Sequence, residues 1–157
     1  MNLSHKIRIY PSEEQERILV CSCGVSRFAY NWGLAEWKRM YAEGEKPTAY
    51  SLKKRFNAIK GEQFSWVYDC PKDANQQPFT DLNSAFQRFF KGLGKYPKFK
   101  KKGVRDSFYV SNDKFSIKGD YVKLPKIGKV RMSEVLRFDG KINSGVVSRV
   151  AILYATL

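Results

Sequence analysis

This chain is short of histidine, cysteine and, in its second half, acid. It has one histidine, three cysteines, and five acidic side chains after residue 84. Each shortage excludes something. Cys21 and Cys23 lie two apart with no second pair, and His5 alone cannot complete a four-ligand zinc site. Three cysteines make no disulfide framework, so Cys21, Cys23 and Cys70 read as reduced, structural and cytoplasmic. No long apolar run, leader segment or basic amphipathic helix in the charged half points to a membrane. Hydrolysis lacks its parts too. Asp113, Asp120 and Asp139 fall at predicted turns beside Gly or Asn, where Asp is common for backbone reasons, and no nucleophile motif is present. The sequence predicts no catalytic residue, metal, cofactor or small-molecule substrate.

What the chain does have is positive charge, unevenly placed. Residues 1–84 carry 12 basic and 10 acidic side chains, whereas residues 85–157 carry 17 and 5. A net of +12 in one half implies a polyanionic partner. The charge peaks from Arg88 to Arg105, with eight lysines and arginines, no acid, and aromatic rings set among them. Cations for phosphates beside flat faces for bases suit a nucleic-acid partner. A solvated linker is the plainer alternative.

At 157 residues the chain has room for one domain or two small ones. Leu3, His5, Ile7 and Ile9 alternate with Lys6 and Arg8, predicting a half-buried strand. Ser12 followed by Glu13, Glu14 and Gln15 predicts a capped helix start. That helix is expected to break near Gly24 and to be followed by a second one bearing Val25, Phe28, Ala29 and Trp32. A third helix runs from Thr48 to Lys60 and a fourth from Lys72 to Lys91, with Pro78 requiring a first-turn position or a kink. Helical spacing assigns Phe28, Tyr30, Trp32, Trp37, Phe86, Phe89 and Phe90 to the core.

The pattern then switches to period two. Phe115 and Ile117, a Gly119-Asp120 turn, and Val122 and Leu124 read as a hairpin. Segments 127–132 and 141–154 supply further strands. The expected fold class is α+β, a small wedge-like β-barrel interrupted by a four-helix module. The barrel takes residues 1–10 and 104–157. The helical module takes 11–103, with a helix-turn-helix over 12–45 and a basic linker over 91–105.

Five motifs in order then resemble one family. They are Ile9-Tyr10-Pro11 with Glu13-Glu14-Gln15, Arg27-Phe28-Ala29-Tyr30-Asn31-Trp32, Asp81 to Phe90, Tyr96 to Lys102, and Leu124-Pro125-Lys126-Ile127-Gly128. Their order and spacing are similar to the N-terminal part of TnpB (OrfB), transposon-encoded RNA-guided DNA nucleases. The resemblance implies a wedge barrel split by a recognition lobe, holding guide-type RNA and reading a short motif beside duplex DNA, while base pairing reads the rest. In the family a nuclease domain of the RNase H type follows. This chain stops at Leu157 before its carboxylates, so the expectation is a truncated or frameshifted gene, with a full-length nuclease relative as a further partner. The run from Val150 to Leu157 also lacks the polar alternation of a final barrel strand.

The resemblance places contacts to target-adjacent DNA at Tyr50 and Lys54, at Lys72 and Gln76, and at Ser111 and Asn112. Gln and Lys suit base edges, and Asn suits adenine. Asp73 departs from the apolar residue expected there. For the backbone of RNA or DNA, the candidates are Arg8, Arg27, Lys98, Lys100, Lys101, Lys102 and Arg105. Tyr96 and Phe99 are stacking candidates, with anchoring of the linker as the alternative. Two other classes of function stay open: a stand-alone helix-turn-helix regulator or transposition accessory acting without RNA, and an inactive fragment.

Overall fold

A computed structural model describes residues 2–149 and 153–156, the last four as backbone only. Strand β1 (Lys6–Tyr10) buries Ile7 and Ile9 and turns Lys6 and Arg8 outward, as the alternation predicts. Helix α1 (Glu13–Ala42) opens with a reciprocal cap: Gln15 N donates to Ser12 Oγ at 3.2 Å, and Ser12 N donates to Gln15 Oε1 at 3.0 Å. The Gln15 side chain then donates to the Lys129 carbonyl at 2.8 Å, fastening the helix start to the sheet.

The expected break at Gly24 is absent. Helix α1 passes through it without interruption, so three α-helices stand where four were expected. A mid-helix glycine costs about 1 kcal/mol against alanine. Leu19, Cys23, Val25, Ala29, Leu34 and Trp37 are all buried along one continuous face, and that burial outweighs the local preference. A second reciprocal cap, Thr48 with Ser51, starts helix α2 (Ala49–Gln63). A 3₁₀ turn (Ser65–Asp69) leads to helix α3 (Lys72–Phe90). Pro78 sits inside α3, past the first turn, and is buried.

The helices pack through rings. Trp37 stacks on Phe86 at 4.2 Å with 5° between planes, and Phe56 meets Trp32 at 5.2 Å and Phe79 at 5.2 Å. Where α1 meets α3, Gly33 lets the helices close. A methyl there would sit 3.0 Å from Phe79 and 3.2 Å from Leu82. Phe90 departs from its expected place in the core: it is the last residue of α3 and is 62% exposed.

Seven strands follow the order β2-β6-β7-β1-β5-β4-β3, every neighbouring pair antiparallel. These are β2 (Ser107–Ser111), β3 (Ser116–Lys118), β4 (Tyr121–Leu124), β5 (Gly128–Met132), β6 (Ser144–Arg149) and β7 (Leu153–Thr156). The expected hairpin is present, with Lys118 opposite Tyr121 and Gly119 at φ 60° in the two-residue loop. Strand β1 pairs with β7 through Lys6, Ile7 and Arg8 and with β5 through Ile9 and Tyr10, so it joins two sheets. The expected closed barrel is not formed. The sheets are open, with β2 and β3 at the two ends and no pairing between them among the described residues. Strand β3 has only three residues, two of them exposed, too short an edge to close on β2. Of the run from Val150 to Leu157, residues 150–152 and 157 lie outside the described residues.

Candidate nucleic-acid interface

The basic segment after α3 is held against the helices, not left as a free linker. Tyr96 meets Phe86 and Phe89 edge-on at 5.4 and 5.1 Å, and Pro97 is buried. Lys38 of α1 lies over the rings of Tyr96 and Phe99 at 5.6 and 4.9 Å. Two turns sooner on α1, Asn31 takes both backbone groups of Lys100: its Nδ2 donates to the carbonyl at 2.9 Å and its Oδ1 accepts from the amide at 2.7 Å. Lys100 Nζ lies 4.3 Å over the Tyr30 ring. The segment ends at Asp106, which accepts from Arg27 Nη1 at 3.0 Å and from Gly103 N at 3.1 Å. The motif from Arg27 to Trp32 is thus a clip for a basic strap.

The clip sorts the predicted phosphate ligands. Lys98, Lys101, Lys102 and Arg105 are exposed, and their side chains enter no ion pair among the described residues. Lys100 is committed to Tyr30 and the helix surface. The residue as a whole is exposed, yet desolvation lowers its ammonium pKa, which Asp81 partly offsets. Arg27 is three-quarters buried in its ion pair with Asp106. Arg8 is exposed on β1, 5.0 Å over the Tyr10 ring. Asn31, Tyr30 and Asp106 were not singled out from sequence as binding residues. The lone acid closing a basic run and the amide on a ring-rich helix face were the available signals.

The three places expected to contact DNA come together at one corner. Gln76 exchanges hydrogen bonds with Asn57 of α2, Nε2 to Oδ1 at 2.9 Å and Nδ2 to Oε1 at 3.2 Å. Asn57 lies one turn beyond Lys54, and Tyr50 is 75% exposed one turn before it. At the start of α3, Asp73 Oδ2 accepts from Ser111 N at 2.9 Å and Ser111 Oγ at 2.8 Å, which draws the end of β2 and exposed Asn112 beside exposed Lys72. The acid that interrupted the expected apolar patch is therefore the tie between α3 and the sheet. Gln76 also donates to Asn75 Oδ1 at 2.6 Å, so its amide is engaged within the chain. Beneath this corner Lys60 is 8% exposed, with its Nζ 3.5 Å from Asn75 Oδ1; burial first and Lys72 second lower its pKa.

Elsewhere the surface holds little chemistry. The Cys23 and Cys70 thiols are pushed up to about 12 and about 11, first by burial. Among the described residues, no group of three or more His, Cys, Asp or Glu side chains stands together to hold a metal ion. No described helix is long and apolar enough to cross a membrane. A cleft of about 460 Å³ between residues 2–5 and 136–146 shares no residue with the strap.

Comparison with known proteins bears on this arrangement. Residues 1–46 match the helix-turn-helix domain of the OrfB, IS605 type. Over 150 residues, 92% of this chain, the sequence is 29% identical to the "Putative RNA-guided DNA endonuclease InsQ" of Escherichia coli (strain K12). The chain spans 37% of that relative's length.

Proposed function

From a chain that resembles the TnpB (OrfB) family over most of its length and carries that family's helix-turn-helix domain, we propose a nucleic-acid-binding recognition part of a TnpB-type protein. It binds guide-type RNA and the duplex beside a DNA target and does no hydrolysis itself. In this reading residues 11–103 are the recognition module, and residues 1–10 with 104–157 the wedge that carries it. The strap from Tyr96 to Asp106 grips phosphates through Lys98, Lys101, Lys102 and Arg105. The corner of Tyr50, Lys54, Lys72, Gln76, Ser111 and Asn112 faces the target-adjacent DNA.

The observation that carries the reading is the fixed strap: a backbone bearing exposed cations, clipped by Asn31, with the acid that closes it, Asp106, already paired to Arg27. Preorganised cations bind phosphate with less ordering cost than a free tail. The cost of such binding is released counterions, so affinity falls with salt. Lys101→Ala and Lys102→Ala are each expected to lower the slope of log K against log salt by about 1, without altering sequence preference. Fluorescence anisotropy across a salt series measures this. Slopes equal to the unsubstituted protein's would remove the strap from the interface.

Identifying the RNA takes a second measurement. Sequencing of co-purifying RNA is expected to recover transcript from the transposon's end. RNA-free protein that shifts duplex DNA would favour the regulator reading instead. The unbroken α1 gives that reading no separate recognition helix within 13–42.

A further inference from the structure

We propose that Phe90 and Phe99, on either side of Tyr96, form a stacking platform for the unpaired bases of an RNA strand whose phosphates lie on the strap; the proposal rests on the nucleic-acid reading above. Between residues 90 and 99 four large apolar side chains face solvent: Phe90 is 62% exposed, Leu93 66%, Tyr96 44% and Phe99 51%. They are not scattered. Phe90 contacts Phe86 at 6.1 Å and Phe89 at 5.5 Å, Tyr96 meets the same two rings, and Lys38 bridges Tyr96 to Phe99. The rings are fixed from below by the α1–α3 core, where Trp37 lies flat on Phe86. A pre-fixed aromatic surface meets a base at low entropic cost.

Charge selects the occupant. Lys91, Lys95 and Lys98, all exposed, are interleaved with these rings along the chain, and no acid occurs from residue 88 to 105. The α1 carboxylates nearest in sequence to Lys38 are occupied: Glu36 by Arg39 and Arg55, and Glu43 by Arg39. An apolar patch on a segment that carries cations and no acid fits a partner that is itself flat, apolar and polyanionic, which is a single strand with its bases unstacked. A duplex has its base faces already covered and offers this surface only phosphates.

The test compares two ligands with equal numbers of phosphates, an RNA oligoadenylate and an abasic oligomer, binding to the full chain. The unsubstituted protein is expected to prefer the oligoadenylate. Phe90→Ala and Phe99→Ala are each expected to weaken oligoadenylate binding by about five-fold or more, with unchanged salt slope and unchanged affinity for the abasic oligomer. Phe90→Leu keeps an apolar side chain without a ring face and is expected to lose affinity as well. Far-UV circular dichroism checks that the variants remain folded; Phe90 is exposed enough to make that the expected result. Equal loss on both ligands, or no loss on either, overturns the platform. Unsubstituted protein that binds both ligands equally also overturns it, while leaving the phosphate grip standing. Protein that binds neither removes the grip and the platform together.

Discussion

Asn31 gives its whole amide to the backbone of one distant residue, Lys100, while Arg27 and Tyr30 beside it take Asp106 and the Lys100 ammonium. In the proposed interface such a residue would act on a ligand it never touches. Asn31→Ala leaves the Lys100 amide and carbonyl to water, a cost of about 1 kcal/mol for exposed groups. The strap loosens, and nucleic-acid affinity is expected to fall a few-fold. Because no charge is removed, the salt slope is expected to stay unchanged, unlike the Lys101→Ala result. Hydrogen exchange adds a readout independent of ligand: the Lys100 amide should exchange faster in the variant. Unaltered exchange would mean that Asn31 does not hold the strap.

Among the elements, α1 has glycines at two positions with opposite expectations. At Gly33 an added methyl meets Phe79 and Leu82 at 3.0–3.2 Å, and Phe79 is wholly buried among other rings. Gly33→Ala is therefore expected to destabilise by about 1–3 kcal/mol despite better helix propensity. At Gly24 the nearest atom is Arg27 Nη2 at 3.7 Å, so Gly24→Ala is expected to stabilise by about 0.5–1 kcal/mol. Urea denaturation of the two variants measures both, and a stabilised Gly33 variant would contradict the close packing of α1 on α3. The α1–α2 junction has a pH dependence of its own. Glu36 accepts from Arg39 at 2.5 Å and Arg55 at 2.8 Å, and hydrogen bonding from Arg39 first holds its carboxyl below the usual range. A depressed folded pKa contributes stability above the unfolded value, which is lost as pH falls through the folded value. Stability is expected to drop on acidification below about pH 4.5, and less steeply in Glu36→Gln. Parallel slopes for the two proteins in urea titrations would remove Glu36 from that dependence.

For the molecule as a whole, what the sequence made legible was local. The Ser12–Gln15 cap, the Gly119-Asp120 hairpin and the alternation of His5, Ile7 and Ile9 each declare themselves within a few residues, and each is found. What was hidden depended on distant partners. Helix continuity through Gly24 is decided by a burial stripe that α3 supplies together with β2 and β6. Phe90 follows the core spacing yet ends its helix where no element covers it. Barrel closure needed β2 and β3 to meet, and their separation appears only once all seven strands are ordered. The candidate site divides the same way. Lysine density marked the strap, but only the fold shows Asp73 drawing Ser111 to α3 and Asn57 engaging Gln76.

The central place of β1 has a kinetic consequence. Synthesised before the strands it pairs with, β1 has no mate until residues near Met132 and Thr156 have been made, whereas the ring-packed helices complete themselves from nearby sequence. The helices thus have time to pack on one another before β1, made ahead of them, docks between its late-made neighbours.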